Sequence, residues 1–258
     1  MKNIINIALI TGLIGTSTLA FCEENISSIE NDRLGANFVK RQVEQNMSIG
    51  RAIKSIVNNY PQETSSIVST ALDLYPEDYK EVIHAAISAQ PMLTEDIVRI
   101  AIGKNITSCS SIVQTAINAE PSYVDFVVTA AASSTPEELT EIVRIAVITE
   151  PDSADNIVQS LAQDHPSKIV EILTSAITAV PLVGEYVVEA LLAVFPNDAE
   201  TVITTAVRES GIQRENVKRI IETAKNFGLE QSSIYEYAIK GGATEEEITL
   251  ALNENKIN

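Results

Sequence analysis

The segments PEDYKEVIHAAISAQ (76–90), PEELTEIVRIAVITE (136–150) and PNDAETVITTAVRES (196–210) are 15-residue units that each open with proline. Consecutive prolines along the 258-residue chain are always one or two such units apart, and the one unit between them that starts without proline starts at Ile106. The nine prolines are Pro61, Pro76, Pro91, Pro121, Pro136, Pro151, Pro166, Pro181 and Pro196. Chance does not place all the prolines of a chain in one phase, so the sequence is a repeat of these units.

The apolar residues of each unit predict a helix. With proline counted as position 1, positions 7 and 8 are nearly always Ile or Val, position 11 is usually Ala and position 12 is aliphatic. Together with position 4, they follow the i, i+3, i+4, i+7, i+8 spacing of one helix face. β-Branched residues alone favour strands, but the strict alternation of a strand is absent. Proline is tolerated in the first turn of a helix and disrupts its interior, so each proline marks a helix start.

These units predict an all-α fold, an α-solenoid of short helices on a 15-residue period. Each helix is expected to have about 11–12 residues, to be about 17 Å long and to be joined to the next by three or four residues. A helix this short is marginal alone, so each must bury its apolar face against its neighbours. Ser122/Asp125, Asp152/Asp155 and Asn197/Glu200 could be caps with an acidic first turn, and the sequence does not decide whether proline or the residue after it is the cap.

A longer period is visible at positions 9 and 10 of the units. At a separation of three units, six of fourteen comparisons are identical, among them Arg99/Arg144, whereas a separation of two units gives one identity in sixteen. Helices in simple hairpin pairs would alternate every two units. The identities therefore suggest a 45-residue super-repeat of three helices. The alternative is that they are the remains of a sequence duplication and do not reflect the packing of the helices.

The N-terminus has the features of a secretory signal peptide. Lys2 precedes a short apolar stretch that ends in small residues near Ala20, and acidic residues follow. Cleavage after Ala20 and cleavage after Cys22 both fit this pattern. Lipid anchoring at Cys22 is disfavoured because Phe21 stands where a bacterial lipobox has a small residue. The protein is therefore predicted to be exported, to the periplasm, the cell surface or the medium, with no membrane span after signal removal.

The chain is expected to divide into four parts. Residues 1–22 form the signal peptide, 23–45 a polar N-terminal lead or cap, 46–210 the helical repeat array and 211–258 degenerate C-terminal capping helices. A helix is expected from Ala36 to Gln45. Atypical and more polar ends are what a repeat array needs to close its apolar core.

Composition and missing motifs exclude several functions. The chain carries 18 Lys and Arg against 35 Asp and Glu, a net charge of −17, and has no basic cluster, so it is a poor nucleic-acid binder. Its two cysteines cannot form a disulfide scaffold or a four-cysteine zinc site. HExxH, GxSxG, GxGxxG and phosphate-loop motifs are absent. We therefore predict no catalytic, metal-binding or cofactor-binding residue, and no cofactor.

Three single residues are of types that could form a site. His84 and His165 have no cysteine or second histidine at ligand spacing, so both are predicted to be surface or turn residues. Cys109 occupies the core-facing position 4 and is predicted to be a small buried residue. The alternative is a disulfide, with Cys22 or between chains, in an oxidising compartment.

Three cations form the one candidate binding feature. Lys54, Arg99 and Arg144 share position 9 at 45-residue spacing. In a three-helix repeat they would form a basic row able to bind carboxylates of a partner. The alternative is local ion pairing, of Glu95 with Arg99 and of Glu141 with Arg144, at helical spacing.

The Pro-punctuated units of about residues 46–210 resemble the Ala/Val-rich helical repeats of exported bacterial proteins, and in architecture only they resemble HEAT and tetratricopeptide arrays. This resemblance implies an extended binding surface and carries over no functional residue. We expect a non-catalytic interaction or scaffold module with a protein partner. The alternative is a structural component of the cell surface or matrix that self-associates into an oligomer or filament.

Overall fold

A computed structural model describes residues 35–46, 48–211 and 213–253, and every regular element in these ranges is helical. The predicted signal peptide lies outside the described residues. The α-helices in the described ranges are α1 (35–46), α2 (Ile49–Asn59), α3 (Thr64–Leu74), α4 (Tyr79–Ala89), α5 (Thr94–Gly103), α6 (Cys109–Ala119), α7 (Val124–Ser134), α8 (Leu139–Thr149), α9 (Ala154–Asp164), α10 (Ile169–Ala179), α11 (Gly184–Val194), α12 (Ala199–Ser210), α13 (Arg214–Asn226), α14 (Gln231–Gly241) and α15 (Glu245–Asn253).

The helices stack in two layers. From α2 onward, each helix packs against the next helix and against the next but one. The even-numbered helices α2–α14 therefore lie side by side in one layer, called here the even layer, and α3–α15 form the odd layer. This arrangement confirms the predicted all-α solenoid, since each helix contacts only its near neighbours along the chain.

The structural repeat is two helices, which corresponds to two sequence units. Side chains of one helix reach the same-layer neighbour at a sequence separation of 31, as in Glu81 to Gly50, Lys104 to Asp73 and Thr140 to Glu171. A separation of three units instead moves a residue into the opposite layer. The packing therefore does not follow the three-helix super-repeat that the identities at positions 9 and 10 suggested.

The core consists of the positions of each unit that the sequence predicts to be buried. Positions 7, 8 and 11 are buried in every unit from α3 to α12, for example Ile142, Val143 and Ala146 in α8. Positions 4 and 12 complete the stripe that the two layers bury against each other. At roughly 25 cal/mol per Å² of apolar surface removed from water, these side chains supply the main favourable term of folding.

A single residue joins each helix to the next wherever proline opens the unit. This joint residue, at position 15, has φ between −123° and −154° and ψ between 59° and 91°. Its N–H donates to the carbonyl oxygen of position 11, which closes the helix before it. Its own carbonyl accepts the N–H of position 3 in the next unit. The proline begins a one-turn 3-10 helix of three residues, and the α-helix follows.

The joint replaces the side-chain caps that the sequence suggested. Neither Asp152 nor Asn197 caps its helix, and the Ser122 hydroxyl donates to Glu120 at 2.5 Å instead. Proline has no N–H to satisfy, and the backbone of the joint residue takes the N–H of position 3. Side-chain capping, which the sequence allowed at these units, is therefore not observed, whereas Asp125, Asp155 and Glu200 do lie in the first turns of their helices.

The missing proline at Ile106 is replaced by a different turn. Asn105 has φ 52°, a left-handed conformation that Asn tolerates better than most residues. Ser108 then caps α6, its side-chain oxygen accepting the N–H of Ser111 at 3.3 Å. The layer order is unchanged across this break, because α4 still packs on α6 and α5 on α7.

Additional helices cover both ends of the array. The predicted N-terminal helix is present as α1, which buries Val39 in the core and sets the Phe38 ring edge-on to Tyr60 at 5.9 Å. At the other end, α13–α15 continue the same two-layer packing. A capping box starts α15: the Thr244 hydroxyl oxygen accepts the N–H of Glu247, and the Glu247 carboxylate accepts the N–H of Thr244.

The packing of α14 on α12 leaves no room for a side chain at Gly241. A Cβ atom there would lie 2.7 Å from the Val207 side chain and 2.9 Å from the Thr204 carbonyl oxygen. We expect Gly241→Ala to lower the free energy of unfolding of the C-terminal helices by about 1–3 kcal/mol, measured as a lower urea midpoint.

Gly103→Ala is the matched control for that substitution. Gly103 also ends a helix, and a Cβ atom there would meet nothing within 4 Å. This variant should be neutral or slightly stabilising, since alanine restricts the unfolded chain. Equal midpoints for the two variants would contradict the close approach of α14 to α12.

Candidate interaction surface

The outward face of the even layer carries an open groove over α2, α4 and α6. It has a volume of about 570 Å³, within the range of ordinary ligand sites. Its floor contains Ala85 and Thr115, which occupy position 10 and are buried. The groove is lined by Ser48, Gly50, Arg51, Lys54, Lys80, Glu81, His84, Ala85, Ser88, Gln114, Thr115 and Asn118.

Small residues at position 10 of the even layer create the groove floor. Position 10 is also small and buried in α10 (Ser175) and α12 (Thr205), whereas α8 carries Ile145 there. Thr115 and Ser175 donate their hydroxyls to backbone carbonyls one turn back in the same helix, so neither leaves a polar atom unsatisfied. A larger residue at this position would fill the space between neighbouring even helices.

Three of the described residues that line this groove are cations without an ion pair. Arg51, Lys54 and Lys80 are exposed, and no carboxylate among the described residues pairs with them. Most other cations of the described chain are engaged in ion pairs: Arg99, Lys104, Arg144, Lys168, Arg214, Arg219 and Lys240. A chain of net charge −17 thus has, among its described residues, three cations without an ion pair along one groove.

Glu81 is the one carboxylate in the groove, and it is turned toward the start of α2. Its Oε2 accepts the N–H of Gly50 at 3.3 Å. Gly50 lies in the first turn of α2, where the positive end of the helix dipole favours a carboxylate. The Glu81 carboxylate is therefore held by the backbone, and the described contacts include no ion pair between it and Arg51, Lys54 or Lys80.

The three cations proposed from the sequence as one row lie in two layers. Lys54 and Arg144 belong to the even layer, on α2 and α8, whereas Arg99 belongs to the odd layer, on α5. The structure therefore does not bring them together, because three units are one and a half structural repeats. A partner-binding role for each residue stays a prediction, and the surroundings favour it only at Lys54.

The local ion pairs that were the alternative are present. Arg99 donates to Glu95 at 2.5 Å, and Arg144 donates to Glu141 through two nitrogens at 2.5 and 2.7 Å. The bond from Arg144 lowers the pKa of Glu141. Both pairs are exposed to water, where such contacts contribute little to stability. Arg99 and Arg144 are thus less available to a partner than the groove cations.

The histidines and Cys109 lie apart from one another. His84 is exposed on the groove, and His165 is half-buried as the joint residue between α9 and α10. Cys109 is 5% exposed, which confirms its predicted burial, and its sulfur lies 3.4 Å from the Thr135 hydroxyl. In the described part of the chain, no group of three or more His, Cys, Asp or Glu residues is placed to hold a metal ion.

Sequence reasoning missed a signal at position 5 that repeats every two units. From α5 to α13, every odd helix carries an acid there: Glu95, Asp125, Asp155, Glu185 and Glu215. The even helices from α2 to α10 have none at that position, and Lys80 is the residue of α4. This alternation marks the two layers, because position 5 is acidic on the odd side and not acidic on the even side over these helices.

An exposed apolar cluster on the odd layer was also missed. The Tyr123 hydroxyl contacts the Met92 sulfur at 3.2 Å, and the Tyr123 and Phe126 rings lie 5.4 Å apart. Met92 is 79% exposed and Phe126 is 45% exposed. Met92 belongs to one odd unit, and Tyr123 and Phe126 belong to the next odd unit. Only the two-layer arrangement therefore brings Met92 to the two rings.

Comparison with known proteins does not assign this surface, since no protein-family model, no characterised protein and no solved structure matches the chain. Among the described helices, none combines the length and the apolar character needed to cross a membrane. Any role for the groove therefore has to be inferred from its own geometry and charge.

Burial of Cys109 predicts low reactivity of its thiol. Loss of hydration raises the pKa of Cys109, and the hydrogen bond from Thr135 offsets only part of this increase. Because the thiolate is the reactive form, iodoacetamide at pH 8 should leave Cys109 unmodified in the folded protein and modify it in 6 M guanidinium chloride. Peptide mass spectrometry locates the label.

The same experiment, run without reductant, tests the alternative of a disulfide at Cys109. A free buried thiol becomes labelled on unfolding alone, whereas a disulfide-bonded one requires reduction as well. Rapid labelling of the folded protein would contradict the burial.

Proposed function

We propose that this protein is an exported, non-catalytic helical-repeat module that holds a protein partner along its even layer. The observation that carries the proposal is the groove over α2, α4 and α6, where three unpaired cations lie on an otherwise acidic chain. Opposite charge steers association and fixes the register of a partner more than it adds affinity. An extended face of regular helices gives such a partner many contacts along its length.

The hydrogen bonds of the groove support a binding role over catalysis. A nucleophilic hydroxyl is normally activated by an adjacent base. The described hydroxyls of Ser88 and Thr115 instead donate to backbone carbonyls, and Ser48 caps the start of α2. None of these three bonds reaches His84 or Glu81, so none of these hydroxyls is paired with a base that could activate it.

A self-associating structural component is the second candidate. Four apolar side chains are exposed at the C-terminal end, on α14, on α15 and at the residue that follows α13: Phe227, Tyr235, Ile239 and Leu250. Exposed apolar residues at one end of a stack favour end-to-end contact with another copy. Export itself is proposed on the N-terminal sequence pattern described above.

Light scattering on the purified protein separates the two candidates. A partner-binding module should elute as one species of constant mass over a hundredfold range of concentration. A mass that grows with concentration, and that falls when Leu250→Glu and Ile239→Glu are introduced, would support the structural component instead.

Cross-linking and capture in the native source test the partner itself. The wild-type protein should retain a specific protein, and Lys54→Glu with Lys80→Glu should lose it. Arg144→Glu with Lys168→Glu is the control, since it makes the same charge change on α8 and at the start of α10, outside the groove. Equal retention by both double variants would place the partner elsewhere on the surface.

A further inference from the structure

The groove over α2, α4 and α6 has a chemistry that identifies the class of its ligand. Arg51 and Lys54 stand on α2 and Lys80 on α4, so the positive charge lies at one end of the groove. The α6 end is uncharged and presents Gln114 and Asn118, which both donate and accept hydrogen bonds. The ligand therefore needs anionic groups at one end and a polar backbone or side chains at the other.

The length of the groove favours a chain segment over a small ion. Neighbouring packed helices are about 8–10 Å apart, so three helices of one layer span about 20 Å. An extended polypeptide advances about 3.3 Å per residue, and about six residues cover this distance. A volume of about 570 Å³ is also far larger than a phosphate or carboxylate ion requires.

The balance of charges argues against a nucleic acid as the ligand. Three uncompensated cations supply few phosphate contacts, and the remainder of a chain of net charge −17 repels a polyanion that extends beyond the groove. A short peptide with two or three acids meets the cations without reaching the acidic odd layer. We propose that the groove binds an extended acidic segment of a partner protein, about six residues long, with its carboxylates on Arg51, Lys54 and Lys80.

This inference rests on the proposed function and deepens it by naming the partner's chemistry. It assigns a distinct role to Glu81, whose carboxylate shares the groove with the cations and accepts the Gly50 N–H. Glu81→Gln removes one negative charge and keeps a side-chain oxygen for that hydrogen bond. A residue needed only for folding would not increase affinity when it is changed in this way, so this variant separates a binding role from a structural one.

The test measures fluorescence anisotropy of a labelled hexaglutamate peptide against the purified full-length protein at 50 mM and 300 mM salt. The wild type should bind, and binding should weaken at the higher salt because exposed charges are screened. Lys54→Glu and Lys80→Glu should each weaken binding about fivefold or more. Glu81→Gln should tighten binding, and a neutral Gln/Ser hexapeptide should not bind.

Arg144→Glu is the matched control, because Arg144 shares position 9 of an even helix with Lys54 and lies outside the groove. It should leave peptide affinity within about twofold of the wild type, since it removes no groove cation. A loss equal to that of Lys54→Glu, or no wild-type binding at all, would overturn the proposal. Circular dichroism of each variant checks that the helical fold is retained.

Other occupants give different results. Binding of a heparin fragment that exceeds peptide binding and displaces it would assign the groove to a polysulfated ligand and overturn the proposal. Peptide binding that appears only after Glu23, Glu24, Glu30 and Asp32 are changed to Gln or Asn would assign it to the acidic N-terminal lead of this chain. If capture of a partner is lost in Lys54→Glu with Lys80→Glu but the acidic peptide does not bind the wild type, this inference fails while the proposed function stands.

Discussion

The joint residue before each proline is the constraint from which the architecture follows. Its N–H ends one helix and its carbonyl starts the next, so a single residue fixes the relation between two successive helices. Proline restricts the backbone of the residue that precedes it and keeps it out of the helical region. Residues as different as Tyr75, Glu120 and Val180 therefore adopt nearly the same conformation. Repeating one conformation at a fixed spacing produces two parallel layers.

The two layers determine which side chains become neighbours. Residues two units apart share a layer, and those one unit apart face opposite sides. Position 5 of the odd helices carries acids, whereas α2 and α4 of the even layer carry cations. These opposite charges consequently lie on different layers of the array. The net charge of the chain hides this separation, because a sum over all residues contains no information on where each charge lies.

Much of the fold was predictable because it depends on local pattern. Proline spacing and the apolar columns indicated the helix starts and the core positions, and Cys109 was placed correctly as a core residue. Side-chain caps at Asp152 and Asn197 were not observed, since the sequence does not show that a backbone carbonyl already accepts the relevant N–H. The identities at a separation of three units suggested a longer repeat that the contacts between helices do not follow.

The candidate site was predictable only in part. Lys54 was singled out from the sequence, but Arg51 and Lys80 were not, because they occupy positions 6 and 5 of different helices. Their proximity to Lys54 follows from the pairing of α2 with α4, which is a tertiary contact. The groove floor depends in the same way on small residues at position 10, whose effect appears only when even helices are packed side by side.

The single-residue joint makes successive helices alternate between the two layers, so the number of units between two helices decides whether they share a layer. Inserting or deleting two units adds or removes one helix pair and returns every later helix to its own layer. A change of one unit exchanges the layers of all the helices that follow it. If it fell between α2 and α4, Lys80 would lie on the side opposite to Arg51 and Lys54. Such an array therefore keeps the residues of each face in register only when its length changes by whole helix pairs.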